Sequence, residues 1–232
     1  MPQKSHPEGG KLTIFVDCVS PYSWFGFTNA MRYRPLLQAH GITVDVVPFF
    51  LGAAREAAGN PFAPTPKWRQ AFATQDCAMT AEMLGLNLST PEEFPILSLF
   101  AVRIATWVKD HCSAEIFDRT FPAFSIAYWS KGINISKPEG VMKALKGIFS
   151  EEEIKEIMKK AVTPENKKRV LELTSSSTPA FGAPWIQAVN SRGERRDWFG
   201  NDRWEQVLHH LEVPFTPMQI SPPKGAVATA KL

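Results

Sequence analysis

Leu12-Thr13-Ile14-Phe15-Val16-Asp17-Cys18-Val19-Ser20-Pro21-Tyr22-Ser23-Trp24-Phe25-Gly26-Phe27 changes its periodicity at the midpoint. The first five residues are a short β-leaning apolar run and read as a buried strand. Serine followed by proline then marks a helix start, because the hydroxyl caps the first turn and proline sits where its missing N–H costs nothing. The helix pattern, Trp24, Phe25, Phe27, Ala30 and Met31, reaches Arg34 ahead of Pro35, a residue that disfavours helix continuation. After Gly41, Ile42-Thr43-Val44-Asp45-Val46-Val47 reads as a second strand, which gives a β-α-β unit with parallel strands.

Beyond this unit, from about Lys67 to Ser175, the periodicity is helical. Four helix starts stand out: Thr90-Pro91-Glu92-Glu93, Ser136-Lys137-Pro138-Glu139, Ser150-Glu151-Glu152-Glu153 and Thr163-Pro164-Glu165, each with a capping residue and acidic groups in the first turn. Strand pattern returns at Trp185-Ile186-Gln187-Ala188-Val189, turns at Asn190-Ser191-Arg192-Gly193 and runs on through Arg195 to Phe199. A last helix is expected from Asn201-Asp202 to Leu211. With the helical block set aside, the order is β-α-β-β-β-α, the arrangement of the thioredoxin fold. The expected class is α/β: a thioredoxin-like fold with an inserted all-helical domain, as in DsbA. Residues 11–65 and 178–220 form the discontinuous thioredoxin-like domain, 66–177 the insertion, and 221–232 a tail.

Composition bounds the function. With 44% hydrophobic and 21% charged residues the chain is of the ordinary globular kind. A net charge of +3 without a long basic run argues against nucleic acid as a partner. No apolar stretch is long enough for a membrane span. The odd, widely spaced set Cys18, Cys77 and Cys112 fits neither a disulfide framework nor a zinc site. None of the five histidines is read as a metal ligand, and the expected metal content is none.

In a thioredoxin-fold oxidoreductase a C-x-x-C pair sits where the first strand meets the first helix, whose N-terminus stabilises a thiolate. That slot here holds Ser20-Pro21-Tyr22-Ser23. Hydroxyls can donate to a thiolate but cannot exchange disulfides, so the sulfur has to come from outside, and glutathione is the abundant intracellular thiol. Ser20 is equally readable as a plain helix cap on this motif alone.

The stretch from Phe15 to Phe27 closely resembles the signature of the kappa-class glutathione transferases, Y-D-x-x-S-P-Y-S-W-x-G-F. Three further motifs resemble that class in the same order: Gly59-Asn60-Pro61 followed by Lys67, Phe181-Gly182-Ala183-Pro184 at the place of a cis-proline, and Phe199-Gly200-Asn201-Asp202-Arg203. The resemblance implies that Ser20 is the catalytic, thiol-contacting residue and that Pro21 and Tyr22 are glutathione-binding residues beside it. It implies that Ala183, before cis-Pro184, holds the cysteinyl backbone by main-chain hydrogen bonds. Asn201 and Asp202 are the counterparts of the γ-glutamyl carboxylate and ammonium, and Asn60 and Lys67 lie near the remaining peptide and glycyl carboxylate. Asn201 departs from the serine usual in the class.

Each residue also has a plainer reading: Asn201-Asp202 as an N-cap pair, Asn60 as a turn residue, Lys67 as a surface charge, Pro184 as a strand-entry proline. Trp24, Trp68, Trp107, Trp129 and Phe100 read as core at helical spacing, with an electrophile pocket as the alternative. The expected activity is conjugation of glutathione to, or reduction of, a hydrophobic electrophile. One alternative is glutathione-dependent isomerisation of the 2-hydroxychromene-2-carboxylate isomerase type, and another is non-catalytic glutathione binding or chaperoning. The resemblance also implies a homodimer. Ala230-Lys231-Leu232 is a variant of the S-K-L address read by the peroxisomal import receptor, so the expected location is the peroxisome, with cytoplasm or mitochondrion as alternatives.

Overall fold

The structure, a computed structural model, describes residues 9–62 and 66–218. The triplet Ala230-Lys231-Leu232 and the rest of the expected tail lie outside the described residues. In chain order the elements are β1 (Lys11–Val16), α1 (Pro21–Ala39), β2 (Thr43–Pro48), α2 (Leu51–Ala57), α3 (Lys67–Leu84), α4 (Leu99–His111), α5 (Ala114–Ser125), α6 (Pro138–Leu145), α7 (Glu151–Ala161), α8 (Pro164–Ser176), β3 (Trp185–Val189), β4 (Arg195–Phe199) and α9 (Trp204–His210). A π-helical turn, Ile126–Ser130, continues α5. No described helix is long and apolar enough to cross a membrane.

The sheet order is β2-β1-β3-β4. β1 runs parallel to β2 with Ile14 opposite Val46, and antiparallel to β3 with Ile14 opposite Ile186. β1 is central and covered on both sides, which is why it carries apolar residues with little alternation. Leu12, Ile14 and Val16 lie in the main core with α1 and the inserted helices. Phe15 points to the opposite face, where Val47, Phe49, Ala54, Leu173 and Trp185 close a second core. The inserted helices enter after β2 and return the chain at β3, as in the thioredoxin-like architecture with a helical insertion.

Four local expectations are corrected. α1 continues through Pro35 to Ala39; the lost hydrogen bond is offset by burial of Leu37 and Ile42, both 1% exposed. Thr90-Pro91-Glu92-Glu93 starts no helix, because its neighbourhood is bound elsewhere: Ser89 N–H donates to the Trp129 carbonyl and the Tyr128 hydroxyl to that of Glu93. Ser136 does not cap α6, since its hydroxyl donates to Asn134 Oδ1 at 2.6 Å. The last helix starts at Trp204 with Arg203 at the cap position and no side-chain cap bond, so Asn201 and Asp202 precede it and do not cap it. The capping box at Ser150 and Glu153 and the Thr163 cap form as expected.

Candidate active site

The polar turn leaving β1 is built around Ser20. Its side-chain oxygen accepts the Ser23 N–H at 3.2 Å and caps α1, and Pro21 occupies the first helical position. This bond uses a lone pair, so the O–H proton is free to be donated to a bound anion. Ser20 is 8% exposed, at the positive end of a 19-residue helix with no acidic residue in its first turn.

The second wall is the loop before β3. Ala183-Pro184 is a cis peptide, and the β1–β3 ladder begins one residue later, with Trp185 opposite Phe15. The main chain of Ala183 therefore stands ahead of the ladder, beside the turn that carries Ser20. Pro184 packs on α1 where Gly26 leaves room for it: a Cβ there would be 2.8 Å from Pro184 Cγ.

The other two motif loops close on this one. Gly200 N–H donates to the Pro184 carbonyl at 3.1 Å, and Asn29 of α1 donates through Nδ2 to the Asn201 carbonyl at 3.3 Å. Gly200 has φ +106°, and a Cβ would meet Asp202 Oδ1 at 2.7 Å, so the exposed Asp202 carboxylate folds back over it. On the other side Asn60 Nδ2 donates to the Phe181 carbonyl at 3.0 Å, tying the loop after α2 to the cis-proline loop. Ser20, Pro21, Asn60, Ala183, Pro184, Asn201 and Asp202 thus belong to three linked loops and one helix start. Lys67 is not drawn in by any described ion pair; it opens α3 in an exposed position. Tyr22 reaches the insertion instead, its hydroxyl donating to Asp76 Oδ2 of α3 at 2.7 Å. Trp24 and Trp129 are core as expected, whereas Trp68 is 73% exposed.

The electrostatics decide which sulfur can react. Burial pushes the Cys18 thiol far up, with the neighbouring Asp17 charge adding to it. Burial also raises Cys77 and Cys112. All three thiols are shifted away from the thiolate form, so none of them is a ready nucleophile. Tyr22 is likewise raised, by burial and then by its bond to Asp76, and stays a neutral phenol. Among the described residues no group of three His, Cys, Asp or Glu could hold a metal.

Behind Ser20 lies a group whose role the sequence did not disclose. Asp17, fully buried, accepts the Val19 N–H at 2.9 Å, the Leu51 N–H at 3.0 Å and the Ser98 hydroxyl at 2.7 Å. Burial raises its pKa and these three bonds oppose the rise. The aspartate of the signature Y-D-x-x-S-P-Y falls on Asp17, which marks the position but not its three partners.

Residues 11–212 match the description "DSBA-like thioredoxin domain". The chain belongs to that family. The DSBA-like architecture accounts for the β1–α1 turn, the cis-proline loop and the inserted helices together. Within it, the chain is 25% identical over 216 residues to glutathione S-transferase kappa 1 of Caenorhabditis elegans, covering 90% of this chain and 93% of the relative. It is 26% identical to glutathione S-transferase kappa 1 of Homo sapiens, covering 86% and 90%. The likeness to the kappa class read from four motifs thus extends over most of the chain. A solved 2-hydroxychromene-2-carboxylate isomerase shares the fold, with a TM-score of 0.64 at 21% identity over 87% of this chain and 94% of that one.

Two other clefts are present among the described residues. One of about 710 Å³, lined by charged residues including Arg192, Glu194 and Glu212, is at the far end of the hairpin. Another, of about 450 Å³, is lined by Ala53, Ala57, Leu171 and Phe181 and borders the cis-proline loop from the α2–α8 side.

Proposed function

We propose that this chain is a glutathione transferase that activates the glutathione thiol at Ser20 and transfers the sulfur to a hydrophobic electrophile. The observation that carries the reading is the Ser20 hydroxyl at the N-terminus of α1, beside the cis-Pro184 loop, in a chain whose own thiols are all held neutral. The kappa-class relatives support it.

The thiol proton of glutathione is lost to solvent, and the thiolate is stabilised by the Ser20 O–H and the α1 N-terminus. Because a free thiol titrates near 8.5, lowering it by one to two units raises the thiolate fraction at neutral pH by about tenfold or more. The cysteinyl backbone lies along Ala183 as an added strand segment. Asp202 faces the γ-glutamyl ammonium and Asn201 the carboxylate beside it; Asn60 and Lys67 serve the glycyl end. With an activated aryl chloride as electrophile, a C–S bond forms, the C–Cl bond breaks and chloride leaves.

Product mass tests the reading. Incubation with glutathione and chlorodinitrobenzene is expected to yield the conjugate at a rate above the uncatalysed reaction, and no conjugate with any of a panel of activated electrophiles would overturn it. The similarity to the isomerase structure favours a second reading, in which glutathione adds and leaves unchanged; that product has the mass of its substrate.

A homodimer belongs to the same proposal. Trp68, Phe72, Met79 and Met83 form an exposed apolar stripe along α3, from 60% to 81% accessible, without a charge among them. Their spacing on one helix face suits packing against the same stripe of a second copy. Sedimentation would report a dimer that Phe72→Glu dissociates. The location proposed is the peroxisome, through Ala230-Lys231-Leu232. An N-terminally tagged chain lacking this triplet is expected in the cytosol, and a cytosolic full chain would overturn the assignment.

A further inference from the structure

Asp17 binds both sides of the turn that presents Ser20. Its carbonyl accepts the Ser20 N–H at 3.2 Å, and its own N–H donates to Ser23 Oγ at 3.0 Å. Its carboxylate meets three elements: Oδ1 takes the Val19 N–H of the turn, while Oδ2 takes both the first amide of α2, at Leu51, and the hydroxyl of Ser98, just before α4. Ser98 is itself 4% exposed and comes from the inserted helical domain. All three partners are donors, an arrangement that suits a carboxylate and no neutral side chain of the same shape. A fully buried carboxylate is a costly way to join helices that apolar packing could join.

We propose that Asp17 is a positioning residue: it holds the Ser20 hydroxyl in its donating orientation and ties that orientation to the placement of the helical domain through Ser98. This rests on the reading of Ser20 as the thiol-activating residue. The carboxylate itself does not reach the thiol. It fixes the backbone from Val19 to Ser23, and a shift of about 1 Å in a catalytic group is enough to cost on the order of a hundredfold in rate.

Asp17→Asn keeps the shape but presents an N–H to an N–H at either Val19 or Leu51. With glutathione and chlorodinitrobenzene, kcat is expected to fall by about tenfold to a hundredfold, while KM for glutathione changes by less than about threefold. Ser98→Ala, which leaves the turn bonds intact, is expected to lower kcat in the same direction by roughly threefold to tenfold. The deciding arm repeats both substitutions on Ser20→Ala, where a residue acting through Ser20 changes the residual rate by less than about twofold. Equal factors in both backgrounds would overturn the positioning role and leave Asp17 a structural clamp. Wild-type protein that binds no glutathione by calorimetry would overturn the functional reading itself, and the role of Asp17 with it.

Discussion

Gly26 and Pro184 are in contact so close that a methyl group has no place between them. A Cβ on Gly26 would lie 2.8 Å from Pro184 Cγ, 3.1 Å from Pro184 Cβ and 3.1 Å from Ile14 Cδ1. The backbone of α1 is thus the support on which the cis-proline loop rests, less than two turns beyond Ser20.

Gly26→Ala is expected to push the loop off α1. Stability should fall by about 1–3 kcal/mol, the usual cost of overpacking, and the glutathione KM should rise, because Ala183 moves with Pro184. Urea unfolding and initial-rate kinetics on the same preparation check both. An unchanged KM would separate the loop from the ligand.

Ser20→Ala removes a hydroxyl that caps α1 and, in the proposed function, faces the thiol. The cap loss costs about 1 kcal/mol of stability. Glutathione affinity should hold within about threefold, since the hydroxyl acts on the ionised thiol and not on the peptide. The bound thiol should titrate about one unit higher, as read by thiolate absorbance against pH. An unchanged curve would leave the helix N-terminus as the source of activation.

Asp202→Ala separates recognition from capping. Because α9 begins at Trp204 without a side-chain cap, thermal stability should be unaltered. Glutathione affinity should weaken by about tenfold, as for a charge-assisted bond to an ammonium. A drop in melting temperature at unchanged affinity would count against the assignment.

Tyr22→Phe cuts the bond to Asp76 that joins the active turn to α3. The expected loss is about 1 kcal/mol. Hydrogen exchange should accelerate in α3 while β1 and β3 keep their protection, and uniform acceleration would show that the contact is not local.

Asp17 gives stability an unusual pH dependence. Its folded pKa is raised above the ordinary 3.8 by burial, so between the two values the native state holds a proton that the unfolded state has lost. Its contribution is most favourable below 3.8 and declines as pH rises through that window to the raised folded value. Asp17→Asn lacks this decline. Unfolding both proteins across the acidic range should show wild type losing ground to the variant as pH rises, and a constant difference would place the folded pKa at its ordinary value.

The fold was legible from the order of the elements and from four dispersed motifs; the detail that could be read beside them was local. Ser20 and Pro21 cap α1 through atoms three residues apart, and Ser150 with Glu153 does the same for α7. Where another contact competed, the simple capping or breaking signal lost: the Thr90 segment is bound by Trp129 and Tyr128, about 40 positions away, Pro35 stayed helical because Leu37 is buried, and Ser136 turned to its near neighbour Asn134. The Asn201-Asp202 pair had the composition of a cap, yet the Gly200 turn and the Asn29 bond hold it outside the helix. Tyr22 looked like part of the thiol turn and is claimed by Asp76. The bond from Ser98 to Asp17 spans 81 positions, and no periodicity or spacing in a single sequence announces it.

The position of the helical insertion also sets a timetable. Ser20 is synthesised early, but Ala183 and Asp202 follow only after the whole helical block, about 160 and 180 residues later, which at ordinary elongation rates is on the order of ten seconds or more. A nascent chain can therefore complete the first βαβ unit while possessing half of the proposed binding site. On the proposed function, competence to retain glutathione arises near the end of translation, so binding on stalled ribosomes of graded chain length would report when the two halves of the sheet join.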